Sequence, residues 1–172
     1  MPSFSSAIQN SRLVSHYNAL SASLTLARSE SIKRASNVSV CAIESSGGDV
    51  CGGESDWSNG WLVFEDSGEN QGTLDADEEV IKRVRLDDPI FDLINSGQLR
   101  PGASNPVARE FIRFSPRGTS NWRGAGYFLL CDDRGASHAR LANITLSGDV
   151  RKGRRNASDE LITVFGEVAT CP

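Results

Sequence analysis

The 172-residue sequence has no unbroken run of the ~20 apolar residues needed to cross a bilayer, and Met1-Pro2-Ser3 does not open a signal peptide. It holds no G-x-S-x-G elbow, H-E-x-x-H pair, P-loop or dinucleotide fingerprint, which removes the commonest motif-readable enzyme classes. Without a C-x-x-C pair, zinc-ribbon and thiol-exchange readings also fall away. Histidine is scarce: His16 and His138 have no triad around them and read as surface residues. No Lys or Arg occurs in residues 41–81, which carry eleven acidic side chains, whereas residues 82–172 carry fourteen basic against ten acidic. A formal charge of −4 gives no overall attraction to polyphosphate or anionic lipid, but one anionic and one mildly cationic region are expected.

What is present begins with four cysteines, Cys41, Cys51, Cys131 and Cys171. Four cysteines allow three pairings. The short Ser/Gly-rich interval between Cys41 and Cys51 favours local closure, which leaves Cys131 for Cys171 and would pin the C-terminal tail. Disulfides imply an oxidising compartment, and four reduced thiols in a cytosolic protein are the alternative.

Residues 7–34 lack Pro and Gly, and Leu13, Tyr17, Leu20, Leu24 and Ala27 recur at helical spacing. An amphipathic helix over 3–34 is expected, capped by Ser5 or Ser6, with Lys33 and Arg34 suiting its negative end. Leu20, Leu24 and Ala27 should pack on strands while the first two turns project. After Asn37 the period falls to two, with strands expected at Val38–Ile43, Gly60–Glu65, Val80–Leu86, Glu110–Phe114, Tyr127–Cys131, Arg140–Leu146 and Leu161–Val168. Asp66–Glu79 and Asp87–Val107 read as exposed loops. One helix plus about seven antiparallel strands makes an α+β protein, a single domain over 1–172 with its β part at 38–172.

Candidate chemistry is sparse. Asp132-Asp133 beside Arg134-Gly135 reads as a solvated hairpin turn rather than an acid/base pair. The loop Asp66–Glu79 has clustered oxygen ligands suited to Ca²⁺, but Gln71 stands where an EF-hand needs Gly and no Glu occupies the twelfth place, so no metal site or cofactor is assigned. Arg140, Arg151, Lys152, Arg154 and Arg155 are the one notable basic cluster, a candidate phosphate-binding patch without interleaved aromatics.

Leu26-Ala27-Arg28-Ser29-Glu30-Ser31-Ile32-Lys33-Arg34 resembles the "ARSEAIKR" segment of the GspH/FimT family of minor pilins and pseudopilins. Trp57 to Asp66 resembles its "WxxGWxVFxD" hairpin, Phe114 to Gly118 its "FxPRG", and Phe128 to Gly135 a later strand. The resemblance implies an N-terminal helix packed on a curved antiparallel β domain. It also implies a structural subunit, not an enzyme, that helps initiate or cap a type IV pilus. The type II secretion pseudopilin is the near alternative. Other pilin subunits would be its partners, and a leader and apolar half-helix before Pro2 would hold the precursor in the inner membrane with a periplasmic domain. The Cys171-Pro172 end resembles FimU-type members. Family members that take up DNA carry a G-R-x-R motif; here Gly148-Asp149-Val150-Arg151 places Asp149 at the first Arg, so DNA remains an alternative partner.

Overall fold

The computed structural model describes residues 3–87, 91–102 and 106–172. A 31-residue helix, α1 (Phe4–Arg34), opens the chain. Its cap is Ser3, whose Oγ accepts from the Ser6 backbone N–H at 3.3 Å, so the start lies ahead of the two serines expected to cap it. At the other end Ala35 turns left-handed (φ 50°), and the backbone N–H groups of Ala35 and Ser36 close on Ile32 and Ser31.

The strands are β1 (Val38–Ala42), β2 (Gly60–Glu65), β3 (Val80–Arg85), β4 (Phe91–Gly97), β5 (Phe111–Phe114), β6 (Gly126–Asp132), β7 (Arg140–Ile144), β8 (Val150–Lys152), β9 (Arg154–Arg155) and β10 (Leu161–Ile162). They form two antiparallel four-stranded sheets, ordered β3-β2-β1-β5 and β4-β6-β7-β8, and a β9-β10 ribbon. Six expected strands match closely. Leu161–Val168 instead shrinks to β10 and a turn, closed by a bridge between Ile162 and Val168. Part of the expected loop Asp87–Val107 is β4; residues 88–90 and 103–105 lie outside the described residues.

Helix and sheets share one core. Leu13, Leu20, Leu24 and Ala27 of α1 meet Val40, Trp61, Val63, Ile112 and Phe114 of the first sheet and Leu93, Phe128, Leu130, Ala142 and Ile144 of the second. Burying Leu20 and Leu24 completely contributes roughly 1.5–3 kcal/mol each. Because β2 is covered on both faces, it reads as a continuous apolar run: Trp61 and Val63 point to the helix-side core, and Leu62 and Phe64 pack with Cys41, Ile43 and Phe111.

Disulfides join Cys41 to Cys51 and Cys131 to Cys171. The second ties the tail across the outer face of the second sheet, where Ala169 packs with Leu129, Leu141 and Leu161. Gly60 supplies a positive φ of 118° at the entrance to β2, and a Cβ there would sit 2.1 Å from the Val84 carbonyl oxygen. Gly60→Ala should therefore destabilise by more than the usual 1–3 kcal/mol of a strained backbone position, read as a fall in urea midpoint at unchanged slope.

Candidate functional site

The docked surface of α1 extends one turn further than its spacing suggests. Leu13 is 2% exposed, whereas Phe4 and Ile8 are 84% and 39% exposed. The β6–β7 turn reaches back to the early helix. Gln9 Nε2 donates to Asp133 Oδ1 at 3.0 Å, Arg134 Nη1 to the Ser6 carbonyl at 3.3 Å, and Arg140 Nη2 to Asn10 Oδ1 at 3.2 Å. The Asp132-Asp133 turn is thus not simply solvated: the Asp132 side chain is 7% exposed and held by Arg134. His16 is half-buried with its ring 4.8 Å from Phe91, so it belongs to the seam rather than the open surface; His138 is exposed.

Further along the helix, Arg28 reaches both sheets. Its Nε donates to the Gly118 carbonyl at 2.9 Å in the turn after β5, and its Nη1 to Asp149 Oδ1 at 2.5 Å in the turn between β7 and β8. The Ser147 hydroxyl first, and the Arg28 charge second, hold the Asp149 carboxyl below its ordinary value. A depressed carboxyl contributes stability above its unfolded value near 3.8 and loses it as pH falls through the folded value. Asp149→Arg would set two cations together, so it should lower the melting temperature. The reversed pair Arg28→Asp with Asp149→Arg should recover part of that loss, a coupling checked by a double-mutant cycle.

A second contact set closes the helix C-terminus. Arg34 donates to Glu30, Glu65 and Glu79 at 2.7–3.0 Å, and those hydrogen bonds, Glu79's first, raise the guanidinium pKa further. Beyond it, the acidic loop 66–79 folds on its own carboxylates. Glu78 accepts from the Gly68 and Asp75 backbone N–H groups at 2.7 and 2.9 Å. The fully buried Asp66 accepts from Ser39 and Gly72 and pairs with Arg113 at 3.0 Å. Both Glu78 oxygens and Asp66 Oδ2 are thus engaged by backbone, hydroxyl and Arg donors, whereas Asp66 Oδ1 is buried without a hydrogen-bond partner.

The basic cluster divides. Alternate residues of β7 and β8 face opposite ways: Lys152 pairs in register with Ala142 of the helix-side core, and Arg151 with Asn143 on the other face. Arg140, Lys152 and Arg155 line one cleft with Tyr17, while Arg151 is turned away from it. Arg155 is committed to the Ser137 and Asp159 carbonyls, and Arg154 is exposed. No spacing signal in the sequence marks the Arg28–Asp149 pair, whose members lie 121 residues apart.

One long N-terminal helix laid over antiparallel sheets is the pilin-like α+β fold. It matches two crystal forms of the Pseudomonas aeruginosa (strain PAO1) type IV minor pilin FimU. One match has TM-score 0.61 and 17% identity over 89% of this chain and 94% of that one. The other has TM-score 0.54 and 18% identity over 87% and 96%. The family model described as Type II transport protein GspH matches residues 16–149, and the chain belongs to that family. No curated protein matches the sequence significantly. Among the described residues, no helix is long and apolar enough to cross a membrane.

Proposed function

We propose that the protein is a structural, non-enzymatic minor pilin of a type IV pilus that helps initiate or cap the filament. The observation that carries the reading is the division of α1. Its later half is locked to both sheets through Leu20, Leu24, Ala27 and Arg28, whereas Phe4 and Ile8 are left for another surface. A helix of that kind suits a subunit whose first turns, carrying Phe4 and Ile8, pack against the helices of other pilins. The likeness to a type IV minor pilin over most of both chains supports the pilus version. Two disulfides fit a periplasmic β domain, with the precursor held in the inner membrane and the mature subunit in the filament.

The family description favours one second reading, the GspH-type pseudopilin of a type II secretion system. Deleting the gene separates the two: loss of surface pili with normal secretion is expected, and lost secretion with normal piliation would reverse the assignment. Duplex DNA binding through Arg140, Arg151, Lys152, Arg154 and Arg155 is expected to be weak. Those residues do not form one stripe, and Asp149 is held by Arg28 rather than replaced by the motif's Arg.

A further inference from the structure

Between the middle of α1 and the edge of the second sheet lies a cleft of about 230 Å³, lined by Tyr17, Arg140, Leu141, Lys152, Gly153 and Arg155 among others. Its polar side chains are donors: two guanidiniums, an ammonium and a phenol, with no carboxylate in the lining. The Arg140 Nε–H is shielded from solvent and has no hydrogen-bond partner, although Nη2 of the same side chain is used by Asn10. A charged donor left unsatisfied in a shielded position is costly, and an oxyanion in the cleft removes that cost once the guanidinium turns toward it.

The backbone builds this opening deliberately close to the sheet. Gly153 donates its N–H to the Leu141 carbonyl at 2.6 Å, and a Cβ on it would meet the Leu141 side chain at 2.5 Å. Only glycine lets the chain cross Leu141 so tightly, and the crossing turns Lys152 and Arg155 toward the same space as Arg140. Arg155 forms a fixed wall, since its carbonyl partners and Asp159, 3.7 Å from its Nε, hold it in place. Among the described residues no carboxylate forms an ion pair with Arg140 or Lys152, so the cleft keeps an excess of positive charge.

We infer that this cleft is a carboxylate site, occupied by one acidic side chain of a neighbouring subunit. Its volume suits a single side-chain group, and a duplex cannot enter it. The turning away of Arg151 denies the site the continuous row of cations that would track successive phosphates. A second copy of this chain can supply the acidic side chain: residues 41–81 hold eleven carboxylates and no cation, and Glu54, Glu69 and Asp77 among them are exposed. The identity of the donor as another subunit rests on the filament reading, whereas the site itself does not.

The test is a solution NMR titration of the domain with sodium acetate, with inorganic phosphate and with a short DNA duplex, at constant ionic strength. Acetate should shift the Arg140 Nε–H resonance and the Gly153 amide saturably, and Arg140→Gln should weaken that binding about tenfold, the worth of one charge-assisted hydrogen bond. Arg151→Gln, on the opposite face of β8, should leave it unchanged. No shift at Arg140 with acetate overturns the site, and a response to phosphate alone overturns the carboxylate assignment. Duplex binding that outcompetes acetate at these residues would overturn it in favour of nucleic acid. Each result stands apart from the pilus-against-secretion outcome of gene deletion, so the cleft can fail while the filament reading holds.

Discussion

Replacing Cys131 and Cys171 together by serine is expected to lower the melting temperature by about 8–16 °C. The bridge spans a sequence separation of 40. On the chain-entropy account, closing a loop of that length restricts the unfolded ensemble by about 4 kcal/mol, and a chain of this size loses about 2–4 °C per kcal/mol. The Cys41–Cys51 bridge spans only 10 residues, so its removal should cost less, about 3 kcal/mol. Calorimetry of the two double variants checks the order. An equal or reversed ranking would mean that packing of the tail, through Ala169 and its bond to the Leu161 carbonyl, anchors it without the bridge.

Phe128→Ala should be comparably damaging, about 3–5 kcal/mol, because nothing nearby can collapse into the space. The Phe128 ring is fully buried, edge-on to Trp57 at 4.8 Å and stacked on Trp122 at 5.3 Å. Trp57 and Trp122 are both fixed by their indole N–H groups, which donate to the Arg109 and Phe111 carbonyls at 2.8 and 3.2 Å. Trp122 also lies over the paired Gly97 and Gly126, where any side chain would meet its ring. Chemical denaturation gives the measurement. A loss below about 1 kcal/mol would show that the aromatic cluster can rearrange to fill the cavity.

Helix α1 and the long strands were legible because their apolar residues recur at one period over many positions. Strand β4 reads as loop because Phe91 and Leu93 alternate inward but Asn95, Ser96 and Gly97 complete the strand with loop-like residues. Asn95 is tolerated because its side-chain amide both accepts from the Arg109 N–H and donates to the Arg109 carbonyl. A 21-residue connection without secondary structure is uncommon in a compact domain. Strands β8 and β9, three and two residues long, arise from pairing with neighbours and carry no pattern of their own. The candidate basic patch shows the same limit from the other side. Adjacency in sequence gathers four of the five cations, but strand alternation sends Arg151 to the face opposite Lys152, and only the fold brings Tyr17 to the same cleft as Arg140 and Arg155.

The grip of Arg28 has a mechanical side. A pull along α1 arriving at that residue divides at once, one branch passing through the Gly118 carbonyl into the strand ladder of β5, the other through Asp149 into that of β7 and β8. Tension reaching Arg28 is shared between the two sheets instead of being borne by one. Under stretching, Asp149→Ala, which cuts the branch to β7 and β8 and leaves the Gly118 one, should thus let the helix detach from the second sheet before the first, turning a single rupture in force spectroscopy into two smaller steps.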